Sequence, residues 1–491
     1  MRWVLASACF ALLLYFFSPP WAAFRAWSRV SELQGMLEVR RGASVLLQMA
    51  HPGSPIPDQL HGAIQWRLLF PVLGRLLHLS PLMLFALAPV GSVLVLGFII
   101  TVLRRRSVGF PEAAMAAVIL GSASWYFASL CWLGYFDSWL VLGLLVVAFA
   151  ERRWPVWLAC VWAPWVDERF VVAVPLALLC RYLFRTCVSR PPAARFWWVR
   201  EFAVPAGLTI AFVFVRLGLL SGQSGQNATV AGYLGGLSLR EVPWTRVLQG
   251  VWEGLRLSWF FVVAAVILSW PQRGRAVALA AMIVAVMGVG LGTAQDLSRS
   301  MMLIMPAGLF GAILVFAAAP RWLPVVLRVC AGGALLLPAH LVMSDRVNPI
   351  SGLFHELTAF RTPPPMIMPE FYELNAIRAM ERGDFSQAES ALTVAIKLAE
   401  NPSEPYKQRG MLRASQGLWG KAREDFSAMV LCDPQNPEAW FFRAQSGLAL
   451  GDRPGASSDM KQALQLAPDD WSARPDVARF LQRLGRPSPV R

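Results

Sequence analysis

Charge is what this 491-residue chain has least of, with Asp, Glu, Lys and Arg together making up 15% of it. Soluble domains carry about 25%, so most of the chain lacks the polar surface that water requires. Cysteine is sparse and shows no pairing pattern. Cys9, Cys131, Cys160, Cys180, Cys187, Cys330 and Cys432 include no Cys-x-x-Cys, which signals neither a zinc site nor a disulfide framework. Five histidines with no His-x-x-x-His pair leave no metal cluster to read either.

Apolar residues are what the chain has in excess. They make up 56% of it, and the mean hydropathy is +0.49, so most of the chain must face lipid. The net charge of +15 is uneven. From Phe371 onward 16 basic residues nearly balance 15 acidic ones, whereas the first 370 residues carry 29 against 15. Basic residues beside apolar spans mark cytoplasmic loops, so the surplus reports orientation and no nucleic-acid partner is implied.

A span needs about 20 apolar residues to cross a hydrocarbon core of about 30 Å. Pro81 to Leu103, Ala276 to Ala294 and Leu323 to Met343 meet this best. The run Trp3 to Phe17 after Arg2 reads as an uncleaved first helix, with a signal peptide ending near Ala22 and Ala23 as the alternative. The basic groups Arg104 to Arg106, Arg152 with Arg153, the series Arg181, Arg185, Arg190, Arg195 and Arg200, then Arg273, Arg275 and Arg321 fall on one side under a single arrangement. Its spans are 3–19, 81–103, 113–134, 138–150, 201–220, 256–271, 276–294, 301–319 and 323–343, with a hairpin of two short helices at 154–184 turning at Asp167, Glu168 and Arg169. This predicts about eleven crossings, a cytoplasmic N-terminus and a long first external loop over 20–80.

The end of the chain is periodic. Gly383, Gly417, Gly451 and Gly485 recur every 34 residues, as do Ala388, Ala422 and Ala456, and Pro434 with Pro468. Small residues let paired helices approach, an aromatic such as Phe385 or Trp419 is expected to pack between them, and proline separates the units. The segment resembles three tetratricopeptide (TPR) units beginning near Glu370, Pro405 and Pro437, capped by a helix over Arg474 to Leu484. Arg453 stands where the third unit should carry a large apolar residue. The sequence thus reads as an all-α chain: a polytopic transmembrane domain over 1–343, a linker over 344–369 and a TPR solenoid over 370–487. After an outward last span the solenoid is expected outside the cytoplasm, binding a peptide or protein partner.

Ionisable groups at membrane depth are costly and mark functional candidates. Glu32, Glu38 and Asp58 lie in the first external loop, Asp137 follows the third span, Asp167 and Glu168 form the hairpin tip, and Asp296 precedes the tenth span. The segment from His51 through Asp58 to His61 leads into Trp66-Arg67-Leu-Leu-Phe-Pro71, an amphipathic stretch suited to the interface. Eleven spans, an acidic first loop, short helices with acidic tips and an appended domain resemble the C-type (GT-C) glycosyltransferases that use polyprenyl-phosphate sugars. The residues carrying that resemblance are Arg67 to Pro71, Asp167-Glu168-Arg169 and Asp296-Leu-Ser-Arg299. It implies transfer of a sugar from a lipid-linked phosphate donor to an external acceptor. Asp58, Asp167 and Glu168 are then the catalytic candidates, while Arg67 and Arg299, with Asp296, Asp137 and His61, would bind substrate. The acid that such enzymes often carry directly after the first span is missing, since Ser18 to Ser31 contains none. No metal site is read, and a divalent cation is the one candidate cofactor. The competing readings are a non-catalytic membrane scaffold whose TPR domain recruits an envelope-assembly partner, and a transporter, for which Arg216 is the one mid-span charge. The compartment expected is a bacterial inner membrane.

Overall fold

In lipid each backbone N–H and C=O has to be paired within its own segment, and the α-helix is how a single chain segment does so. The computed structural model describes residues 1–17, 37–54, 64–187, 199–220, 242–293, 296–344, 347–350, 352, 369–381, 383–399, 401–468, 471 and 473–484. They are almost wholly helical. The exceptions among them are turns, loops and two three-residue strands, His340–Val342 (β1) and Val347–Pro349 (β2), which pair antiparallel with Leu341 opposite Asn348. The chain divides into two units, the first ending at Thr362 and the second starting at Pro363. β2 therefore belongs to the first unit, within the stretch read from sequence as linker.

Among the described residues, four helices of the first unit are long and apolar enough to cross a membrane: Pro81–Arg104, Trp244–Ser269, Arg273–Gly292 and Leu297–Ala318. Phe110–Gly121 and Ser124–Cys131, bent by 66° at their break, would make a fifth. About eleven spans were expected, and the difference has specific causes. The first, fourth and last expected spans form helices Arg2–Phe16, Asp137–Phe149 and Leu323–Leu336 of 15, 13 and 14 residues. At 1.5 Å per residue each covers about 20 Å, short of a core of about 30 Å. Leu323–Leu336 stops because Leu337 turns extended before Pro338 and β1 begins. The expected spans 256–271 and 301–319 are the later parts of the longer Trp244–Ser269 and Leu297–Ala318 helices. The 154–184 hairpin consists of helix Arg153–Trp162, a 3-10 turn Ala163–Trp165 and helix Arg169–Cys187.

Small residues set the packing. Helix Trp259–Ser269 runs against Met305–Ala318, and a Cβ at Gly311 would sit 1.8 Å from the Phe261 carbonyl oxygen. Backbones approach this closely only where the side chain is a hydrogen. Val4, Phe214, Ile267, Val284 and Val329 are apolar and exposed.

Several helices run between two differently charged ends. Asp137 opens one helix and Arg169 another. At the far end of both, buried Arg181 donates to the carbonyls of Val147 (3.2 Å) and Ala150 (2.8 Å) and pairs with Glu201, which also receives Arg153 at 2.8 Å. Arg105 pairs with Glu151 at 3.3 Å there, and Arg185 donates to the Glu151 carbonyl. Glu201 sits on a π turn, Val199–Ala203.

Among the described residues, the second unit forms three helix pairs: Pro369–Glu381 with Phe385–Leu398, Ser403–Ser415 with Trp419–Cys432, and Pro437–Ala449 with Arg453–Leu466. Arg474–Leu484 follows and closes the third pair, with Val477 buried beside Ala456 and Met460. The periodic glycines turn each pair, Gly383, Gly417 and Gly451 having φ of +75°, +77° and +84°. The periodic alanines Ala388, Ala422 and Ala456 are buried between helices. Phe385 does not pack as expected, being 45% exposed, and Phe426, stacked on Phe442 at 5.4 Å, is the buried aromatic. Gly417→Val is expected to destabilise the repeat unit by about 1–2 kcal/mol, because a β-branched residue is strained at positive φ. Pulse proteolysis of the full chain in urea would register this as a lower midpoint, and an unchanged midpoint would contradict the turn geometry.

Candidate functional site

The charged end that includes Asp137 gathers residues far apart in sequence. Helix Pro81–Arg104 carries an internal proline, Pro89, and its Leu87 and Ala88 carbonyls accept from Trp139 Nε1 (2.7 Å) and Ser138 Oγ (2.9 Å). Those bonds fix the first turn of helix Asp137–Phe149, and with it Asp137. Arg299 is held by the short helix Leu297–Ser300, where Ser298 Oγ accepts from the Val342 N–H at 2.9 Å and Ser300 Oγ donates to the Asp296 carbonyl at 3.0 Å.

Around this frame the ionisable side chains close into one network. Arg299 grips both oxygens of Asp137 through Nε and Nη2. It also reaches Asp167 at 3.3 Å and Asp296 at 3.2 Å. Arg169 grips Asp167 through Nε and Nη2 at 2.9 and 2.7 Å and comes within 3.5 Å of Asp137. Arg67 grips Glu168 at 3.0 Å and lies 3.0 Å from Asp167. Asp137, Asp167, Asp296, Arg169 and Arg299 are all buried. Burial of this many charges is tolerable only because each carboxylate faces a guanidinium, and Asp137, Asp167 and Glu168 each meet one in fork geometry.

Of the residues singled out from sequence, Arg67, Asp137, Asp167, Glu168, Asp296 and Arg299 thus meet in one place. Asp58, His61 and Glu32 lie outside the described residues, as does the side chain of Glu38. The phosphate-facing role expected of Arg299 meets a guanidinium already committed to three carboxylates. Asp167, expected as a base, receives bonds at both oxygens, and so does Glu168. Asp296 differs from these, since its buried Oδ1 has no hydrogen-bond partner among the described residues. No group of three or more potential metal ligands occurs among the described residues.

Two members escaped the sequence reading. Tyr135 lies between two guanidiniums, Arg299 at 4.3 Å and Arg41 at 4.0 Å from its ring centre, and Arg41 Nε donates to the Gly134 carbonyl at 3.1 Å. An aromatic two residues before a buried acid was the available signal. Cation–π stacking of this kind favours arginine over lysine.

The repeat unit holds a second ordered set of charges. Arg409 grips Asp425 and Arg443 grips Asp459, each pair 16 residues apart and repeating at 34. Arg413 adds bonds to Asp425 (3.0 Å) and Glu389 (2.6 Å), tying the first helix pair to the second. Lys407 reaches Glu438 of the third pair at 2.6 Å. A 34-residue comparison of charged positions would have revealed the repeated Arg and Asp.

No protein-family model and no curated protein matches the chain. Among solved structures it is similar to PcrH from Pseudomonas aeruginosa, with 22% identity over 24% of this chain and 92% of that one and a TM-score of 0.23. It is also similar to the type III secretion translocator chaperone SycD of Yersinia enterocolitica, with 20% identity, coverages of 26% and 96% and a TM-score of 0.23. A third is YrrB, a TPR protein with an unusual peptide-binding site, at 16% identity, coverages of 41% and 89% and a TM-score of 0.21. The TPR assignment of the second unit rests on its own 34-residue register and its helix pairs.

Proposed function

We propose that this chain is a membrane-anchored TPR protein that binds a protein partner through its repeat unit. The observation carrying the reading is the union, in one chain, of four long apolar helices with three helix pairs turned by glycines at a 34-residue interval. TPR surfaces act by presenting stacked helices to a peptide or folded partner. We further propose that the repeats lie on the extracytoplasmic side of a bacterial inner membrane. The arginine-rich end of the bundle, at Arg105, Arg153, Arg181 and Arg185, would face the cytoplasm by the positive-inside rule. A photo-crosslinking residue at Trp440, compared with one at the strongly exposed Leu431, tests the binding reading in native membranes. A discrete adduct is expected from position 440 and not from 431, and failure to find one from either position would remove the proposal.

A second reading is favoured by one observation, the convergence of four carboxylates and three arginines from separate segments. It is transfer of a sugar from a polyprenyl-phosphate donor by a GT-C-like domain. Asp296 would then take the acceptor's proton at Oδ1, and Arg67, within the first external loop, would face the donor phosphate. Vesicles containing the protein should consume a lipid-linked sugar, and Asp296→Asn protein that inserts normally should lose that activity by about 100-fold. Equal consumption by both proteins would exclude this role for Asp296.

A further inference from the structure

The arginine-rich end of the bundle carries more positive charge than its own acids offset. Among the described residues the acids at that end are Glu112, Glu151 and Glu201. Glu151 pairs with Arg105, and Glu201 with Arg153 and Arg181. Arg104, Arg106, Arg185 and Arg275 crowd the same surface, Arg104 over the Phe110 ring, Arg106 over Phe184 at 4.7 Å and Arg275 over Tyr182 at 5.8 Å. In a bilayer such a surplus draws anionic headgroups.

Beside this surface lies an open apolar groove of about 510 Å³. One wall is the stripe Pro175, Leu178 and Tyr182 of helix Arg169–Cys187, and the other is Phe202, Ala203 and Ala206 from the π turn and the helix after it. Seven helical residues rise about 10 Å, so the groove runs from the charged end toward the middle of the bundle. Tyr182 closes its charged end, with its ring 6.2 Å from that of Phe202 and beneath Arg275. Small side chains at Ala203 and Ala206 keep the groove open.

We propose that this groove is a binding site for an anionic phospholipid, one acyl chain lying between the two walls and the phosphate resting at the Arg275 and Tyr182 end. The walls recognise hydrocarbon of either lipid charge. Selectivity comes from the guanidiniums, each of which favours a headgroup bearing net negative charge by about fivefold. Tyrosine at this level places its ring in hydrocarbon and its hydroxyl among headgroups.

Native mass spectrometry of the full chain, exchanged with phosphatidylglycerol or phosphatidylcholine of identical acyl chains, tests the site. Wild-type protein is expected to retain phosphatidylglycerol at least about fivefold better. Arg275→Gln should abolish most of that preference while phosphatidylcholine retention stays the same. Ala206→Trp, which fills the groove, should lower retention of both lipids, and Ala203→Leu at the exposed rim should do so in part without disturbing the core. Val284→Trp, on the exposed face of helix Arg273–Thr293, should change nothing. Equal retention of the two lipids by wild type, retention unaffected by both alanine variants, or an equal loss in Val284→Trp would each overturn the proposal.

Discussion

Arg299→Met is expected to destabilise the first unit by about 3–5 kcal/mol, the largest single-substitution effect expected for this chain. The arginine is 5% exposed, and Asp137 and Asp167 beside it are each 1% exposed. Among the described residues, removing the guanidinium leaves Asp137 facing Arg169 at 3.5 Å and takes from Asp296 its one ion-pair partner. Buried carboxylates without donors incur the full loss of hydration, whereas methionine fills most of the vacated space. Arg299→Lys should fall between, because a single ammonium cannot bridge both Asp137 oxygens and also stack on Tyr135. The double variant Asp137→Asn with Arg299→Met should recover part of the loss, since it removes the orphaned charge. Fluorescence-detected size-exclusion chromatography after heating reads these differences in detergent. A midpoint for Arg299→Met equal to wild type would mean that the network does not hold the segment around Leu297–Ser300 in place.

Asp425→Ala is expected to cost the repeat unit about 2–4 kcal/mol. Asp425 is 2% exposed and accepts from Arg409 at 2.6 and 3.2 Å and from Arg413 at 3.0 Å. Its loss takes the carboxylate partner from Arg409, which keeps the Thr393 hydroxyl at 2.8 Å, and leaves Arg413 with Glu389 alone of its two carboxylates. A solenoid's stability is a sum of each unit and its neighbour interfaces, so damage to the middle unit weakens both flanking contacts. Asp459→Ala should cost about half as much, since a single arginine, Arg443, depends on it and the third pair has one flanking pair and the cap. Pulse proteolysis in urea would rank the variants. A larger loss for Asp459→Ala than for Asp425→Ala would refute the account.

Legibility from sequence varied with the range of the cause. The hairpin at Asp167 could be read because proline and charge interrupt two apolar runs within a few residues, and helices Arg153–Trp162 and Arg169–Cys187 follow from that. The bend between Gly121 and Ser124 was not legible, because no proline or charge marks it and the kink follows from packing. The end of Leu323–Leu336 carried a local mark in Pro338, whereas the β1–β2 pairing that follows it joins segments that only tertiary structure brings together. In the repeats, Arg453 looked like a defect in the third pair, yet it is exposed while Ala456 and Met460 close the interface.

Composition and period alone pointed to an apolar helical domain joined to a TPR solenoid, because hydropathy and a 34-residue interval can be counted along the chain. They also singled out Arg67, Asp137, Asp167, Glu168, Asp296 and Arg299, since a charge in an apolar run is conspicuous wherever it folds. Which carboxylate faces which guanidinium was decided by tertiary structure. Arg299 and Asp137 are 162 positions apart, and no local rule couples residues at that distance. Their pairing follows from how Ser138 and Trp139 anchor one helix to the Pro89 segment and how Ser298 anchors another to β1. The balance of charge within the network emerges only when those helices pack.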